Sequence, residues 1–140
     1  MKTIKLLGLF ILLFQLSACT DDFDDNLPEK PEPTLLGSWK LVNVSGGFAN
    51  QNFDFEAGLI TWTFNDNQTV TIVNNNTDDS KADYFDSGIY PYEYVLTNDS
   101  GQNINEVIID GQRMGETVLL INQLTMDQSP FDGMKVRLVR

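Results

Sequence analysis

From Leu35 onward the apolar residues of this chain recur at every second position, in short runs cut by glycine, asparagine and aspartate. No ten-residue stretch there carries helical spacing. A period of two sends alternate side chains to opposite faces of an extended strand, so the pattern restricts this region to β-structure. Trp39 and Leu41 alternate with Ser38 and Lys40, although Val42 and Val44 fall on the second face. Ile60, Trp62 and Phe64 alternate with Thr61 and Thr63, and Val70 and Ile72 with Thr69 and Thr71. Tyr90, Tyr92, Tyr94 and Leu96 share one face. Val107 and Ile109 lie in a run with Ile104 and Ile108. The unbroken run Val118 to Ile121 predicts a strand buried on both faces. Leu124 and Met126 start another run, and Met134, Val136 and Leu138 alternate with Lys135 and Arg137.

Turn chemistry separates these runs. Asn65-Asp66-Asn67-Gln68 and Asn98-Asp99-Ser100-Gly101 suit hairpins, because Asn, Asp and Gly tolerate positive φ. Asp110-Gly111, Met114-Gly115 and Asp132-Gly133 read as further breaks. Ser45 to Gly58 and Asn74 to Asp86 read as long loops. The count is about eight short strands, and connections this short force antiparallel neighbours. An eight-stranded antiparallel barrel removes exposed edges and fits these lengths. A β-sandwich is the competing solution.

The residues before Leu35 are of a different kind. Lys2 and Lys5 precede an apolar run from Leu6 to Leu16. The run is too short to cross a hydrocarbon core, which takes about 20 residues, and has the length of a secretory signal. It ends in Leu16-Ser17-Ala18-Cys19, which resembles the lipobox of bacterial lipoproteins. That resemblance implies cleavage after Ala18 and lipidation of Cys19, by a diacylglycerol on sulfur and a fatty acyl chain such as palmitate on nitrogen. In the lipoproteins it resembles, an aspartate directly after the cysteine is the inner-membrane retention signal, so the resemblance with Thr20 in that place implies the outer membrane. Asp21-Asp22-Phe23-Asp24-Asp25 looks like the surface-export tag of Bacteroidota lipoproteins, or is a plain solvated linker. Pro28, Pro31 and Pro33 then favour an extended spacer, so residues 20–35 reach roughly 50 Å. The expected organisation is a signal peptide over 1–18, a lipidated cysteine and tether over 19–34, and a folded domain over 35–140.

Composition narrows the chemistry. Acidic residues number 20 against 9 basic, for a net charge of −11, and this argues against a nucleic-acid partner. The chain has no histidine, which removes His-based catalytic triads and zinc sites, and its one cysteine cannot close an internal disulfide.

Gly37-Ser38-Trp39 at the first strand is similar to the Gly-x-Trp signature of lipocalins. The run from Gly58 to Thr71 looks like the second hairpin of short lipocalin-like lipoproteins. The resemblance implies a lipocalin-like barrel whose Trp39 packs across one end and meets a basic residue near the last strand, Arg137 or Arg140. An Arg over an indole is worth about 0.5 to 2 kcal/mol.

For chemistry the residues offer little. Asp54 and Glu56 could act as paired carboxylates if held about 5 to 9 Å apart, but a solvated acidic loop explains them as well. Asp78, Asp79, Asp83 and Asp86 cluster without the pattern of a calcium loop. No enzyme activity, metal or cofactor is expected. Tyr90, Tyr92 and Tyr94 are core, pocket wall or exposed binding surface. Phe48, Phe53 and Phe55 either lid the barrel or plug it. The leading expectation is a cell-envelope lipoprotein, held to the membrane by its lipid, that binds a small apolar or amphipathic ligand. Trp62, Phe64, Tyr90, Tyr92 and Tyr94 would line a cavity of roughly 300 Å³ or more. The alternative is a surface interaction module with a filled core, presenting Phe53, Phe55, Tyr84 and Phe85 to a glycan or protein.

Overall fold

A computed structural model describes residues 31–99 and 101–140 of the chain. The stretch read as a signal peptide, Cys19 and most of the stretch read as a tether lie outside the described residues. Pro31 to Arg140 forms one unit with its own hydrophobic core. Its elements are β1 (Gly37–Gly46), β2 (Gln51–Asp54), β3 (Ile60–Phe64), β4 (Thr69–Asn74), β5 (Gly88–Asp99), β6 (Gln102–Ile109), β7 (Gln112–Leu119), β8 (Gln123–Asp127) and β9 (Met134–Val139). A single 3₁₀ turn spans Ser129–Phe131, and no α-helix occurs among the described residues.

All pairings between these strands are antiparallel. β1 and β3 to β9 pair in sequence order, and β1 returns to β9, so eight strands close into a ring. Closure depends on the length and bend of β1. Its first residues, Gly37 to Lys40, pair with β3, while Lys40 to Gly46 pair with β9. A bulge between Leu41 and Asn43 shifts the register there. One extra residue bends a strand and reverses the faces of the residues beyond it. That is why Trp39, Leu41 and Val44 are all buried although strict alternation puts Val44 on the second face.

The interior is the predicted one along β3, β4 and β9. Ile60, Trp62 and Phe64, then Val70 and Ile72, then Val136 and Leu138 are buried, with threonines and charged residues between them. Three readings are corrected. Ser45 to Gly58 is not all loop, because Gln51–Asp54 pairs with Asn43–Gly46 as β2. Met114-Gly115 is no break, since both lie inside β7, Met114 facing the core. Val118 to Ile121 is not buried on both faces. Val118 is exposed on the outer face of β7 and Leu119 half-buried on the inner one, and Leu120 and Ile121 are exposed because β7 ends at Leu119 and the chain turns.

The ring has two ends. At the entry end lie the start of β1, the turns β3–β4, β5–β6 and β7–β8, and the last residue, Arg140. At the loop end lie the connections β1–β2, β2–β3, β4–β5, β6–β7 and β8–β9.

Candidate functional site

The five residues chosen from sequence as a cavity wall divide. Trp62, Phe64 and Tyr92 are buried core. Phe64 meets Tyr92 edge-on, ring centres 5.0 Å apart. The Tyr92 hydroxyl donates to the Asn65 carbonyl at 3.1 Å, and burial followed by the charge of Asp66 pushes that phenol above its ordinary pKa. Tyr90 is half-buried and its hydroxyl donates to the Asp86 carbonyl. Tyr94 alone is exposed, at 43%. The cause is the length of β5. Its Gly88–Pro91 segment pairs with β4, but residues 94–99 pair only with β6 and overhang the ring.

Trp62 carries one anomaly. Its indole is wholly buried, and its Nε1 has no hydrogen-bond partner among the described residues. An unmet buried donor costs about 1 to 3 kcal/mol.

The entry end is closed by Trp39. Its Nε1 donates to the Leu35 carbonyl at 2.8 Å, and the Arg140 guanidinium lies over its ring at 4.2 Å from the centroid. The same guanidinium donates to the Thr34 and Leu36 carbonyls at 2.6 and 2.7 Å. Of the two arginines considered from sequence, Arg140 takes the place over the indole. Gly37 has φ of +105°, a backbone region open to glycine, and a Cβ there would come within 3.8 Å of Arg140.

The loop end is plugged rather than lidded. Phe55 is buried and Phe53 half-buried. Phe85 packs edge-on against Trp62, centroids 5.5 Å apart, and Tyr84 also reaches the core. Burial raises the Tyr84 pKa, partly offset by the Met134 backbone. Lys81 ties the two loops, donating to the Asp54 carbonyl at 3.0 Å with its ammonium over the Phe55 ring. The exposed aromatic loop expected of an interaction module is therefore not formed by Phe53, Phe55, Tyr84 or Phe85. Phe48 is the exception, 94% exposed.

The acidic residues organise loops. The Asp54 carboxylate accepts from Asn43 Nδ2, and Glu56 is exposed. Asp83 accepts from Asn74 and Asn76, and Asp78 from the Ser80 hydroxyl and amide, which hold the Asp78 carboxyl below its usual range. No cluster of metal-ligating side chains forms among the described residues.

Two hollows flank β6, and sequence reasoning missed both. Pairing of β6 with β7 stops at Glu106 opposite Glu116, so toward the entry end the two strands part. Between them opens a cleft of about 430 Å³, lined by Pro33, Tyr94, Asn103, Ile104, Asn105, Glu116, Thr117, Val118 and Leu119. Its wall mixes aliphatic side chains, amides, one phenol ring, the Thr117 hydroxyl and the Glu116 carboxylate. The second is a pocket of about 280 Å³ between β6, β7 and the β8–β9 connection, rimmed by Ile104 and Phe131. Its floor is Glu106, 1% exposed, whose carboxylate takes the Arg113 guanidinium at 2.7 Å and the Gly115 amide at 3.1 Å. The signal for this pair was the Asp110-Gly111 hairpin. Pairing Ile109 with Gln112 puts Arg113 opposite Ile108, diagonal to Glu106.

Comparisons of the chain with protein-family models, curated proteins and solved structures return no match.

Proposed function

We propose that this chain is a cell-envelope lipoprotein, anchored in the outer membrane by lipid on Cys19, whose all-β domain is a lipocalin-like, non-catalytic binder of a small amphipathic molecule. The observation that carries the reading is the cleft between β6 and β7. Its volume of about 430 Å³ falls in the range of small-molecule sites. Ile104, Val118 and Leu119 would take an apolar body, and Asn103 and Asn105 a polar head. Tyr94 is the one residue of the sequence-chosen set on this wall. The Gly37–Trp39–Arg140 arrangement at the entry end supports the lipocalin-like part of the reading. The engagement of Asp54 and Asp83 with asparagines supports the non-catalytic part.

The test is native mass spectrometry of the chain from Thr20, secreted to a bacterial periplasm, with any retained species extracted and identified. A stoichiometric amphipathic adduct, lost on Val118→Asp, is the expected result. An adduct that survives this substitution contradicts the site. A second reading, a protein- or glycan-binding module, is favoured by Phe48 and by Phe131 at the rim of the outer pocket, both exposed.

A further inference from the structure

We infer that the entry end of the strand ring docks on a lipid surface, its apolar rim resting in the interface of the membrane that holds the anchor. The choice of a bilayer as occupant rests on the lipid-anchor reading above. The rim itself rests on the fold. Leu36, Tyr94, Leu96, Val118, Leu120 and Ile121 are all exposed large hydrophobics, and the topology brings all of them to this one end. They are adjacent. Tyr94, Val118 and Pro33 share one cleft. Arg140 donates its backbone amide to Asn122, in the β7–β8 turn, and its side chain to the carbonyl of Leu36. Leu96 is two residues beyond Tyr94, on the same face of the overhanging hairpin.

Two further observations select a membrane. The dozen or so residues between Cys19 and Pro31 reach at most about 40 Å, and they join the domain at this end. Charge is also polarised along the ring. Asp78, Asp79, Asp83, Asp86, Asp110 and Asp132 all lie in connections at the loop end. The entry end carries fewer: Glu32 before the first strand, Asp66 in the β3–β4 turn, Asp99 at the β5–β6 hairpin and Glu116 in the cleft, with Arg140 in the rim. An acidic body held beside anionic headgroups is repelled within a Debye length, so the domain settles with its acidic end outward. Apolar side chains held at an interface enter about 5–10 Å into the headgroup and acyl boundary.

The test separates docking from acylation. The chain from Thr20, which contains the whole folded unit, is held through an N-terminal hexahistidine on phosphatidylcholine vesicles containing nickel-chelating lipid. Leu96→Trp adds an emission at the rim, and Ile89→Trp adds one to an exposed site farther up the same strand. Emission of the unsubstituted chain is subtracted. Phosphatidylcholine brominated on its acyl chains should quench the Leu96→Trp emission by about half and leave the Ile89→Trp emission unchanged. In the unsubstituted chain, amide exchange at Val118 to Ile121 should slow by about threefold or more on the same vesicles. Equal quenching at the two sites together with unchanged exchange overturns the proposal. So does a concentration-dependent blue shift of the Leu96→Trp emission without vesicles, which would assign the rim to a second copy of the chain. The mass of the chain extracted from native membranes reports acylation of Cys19 separately, so a failed anchor and a failed rim give different results.

Discussion

The two tryptophans of the core are paired across β1 and β3, Trp39 opposite Trp62, yet their indole N–H groups live differently. Replacing each by phenylalanine removes the same atoms. The vacated space is roughly 40 Å³, which costs about 1 kcal/mol, and the lost transfer free energy adds about 1 kcal/mol. From there the two diverge. Trp39→Phe strands the Leu35 carbonyl, for about 1 to 3 kcal/mol, and weakens the Arg140 stack, worth about 0.5 to 2 kcal/mol. Its total is about 3.5 to 7 kcal/mol. Trp62→Phe deletes a buried donor with no partner among the described residues, which returns about 1 to 3 kcal/mol, so its net effect lies within about 1 kcal/mol of zero. Urea unfolding of the chain from Thr20, followed by far-ultraviolet circular dichroism, measures both without relying on the emission being altered. With a slope of about 2 kcal/mol per molar urea, Trp39→Phe should lower the midpoint by about 2 to 3.5 M and Trp62→Phe should move it by no more than about 0.5 M in either direction. Equal losses would overturn this distinction. They would mean that the Trp62 indole finds an acceptor inside the ring, and the interior would return as the ligand site.

Other expectations concern single contacts. Gly115→Ala puts a Cβ 2.2 Å from the Asp127 carbonyl at a φ of +80°, and should cost about 3 kcal/mol or more. Gly111→Ala meets nothing within 4 Å at a similar φ and should cost only about 1 kcal/mol, so the difference in melting temperature isolates the clash. Arg113→Met leaves the buried Glu106 carboxylate without its cation, whereas Glu106→Met leaves an arginine already 60% exposed. Thermal unfolding should therefore show Arg113→Met the worse by about 1 to 2 kcal/mol. Burial raises the Asp127 carboxyl, but hydrogen bonds from Lys135 and Ser129 outweigh it, and its pKa lies below the ordinary value. A lowered folded pKa stabilises above the unfolded value near pH 4 and the effect is lost as pH falls through the folded one. Lys135 is 45% exposed, so screening keeps the contribution under about 1 kcal/mol. Unfolding of Asp127→Asn should be correspondingly less sensitive to pH below 4.

Strands with one wet face were legible in the sequence, because alternation alone decides which side chains are inside. Ile60, Trp62 and Phe64 face in and Thr61 and Thr63 face out, as read. What alternation hides is any place where the period slips. The bulge after Leu41 returned Val44 to the core. Gly115 looked like punctuation but sits mid-strand, where its missing side chain makes room for the Asp127 carbonyl. β2 escaped because four residues with one half-buried Phe53 carry too little pattern. The three tyrosines alternate along one strand as read, but each meets different surroundings, Tyr92 in the core, Tyr90 half-buried and Tyr94 exposed. Strand length relative to the neighbours, which leaves Tyr94 past the end of the ring, is a property of β4 and β7 as much as of β5. Both hollows beside β6 arise from that same parting of strands, and no motif marks it.

The proposed function stands or falls on the ligand entering the cleft between β6 and β7 rather than the interior of the ring. Nitrogen-15 NMR of the chain from Thr20, titrated with lysophosphatidylcholine as an amphipathic probe, separates the two places. A ligand in the cleft gives saturable shifts at Tyr94, Ile104 and Thr117 to Leu119, with both indole N–H signals unmoved, and this is the expected result. Shifts centred on Trp62, Phe64 and Tyr90, with the Trp62 indole signal displaced as its N–H gains an acceptor, would contradict it.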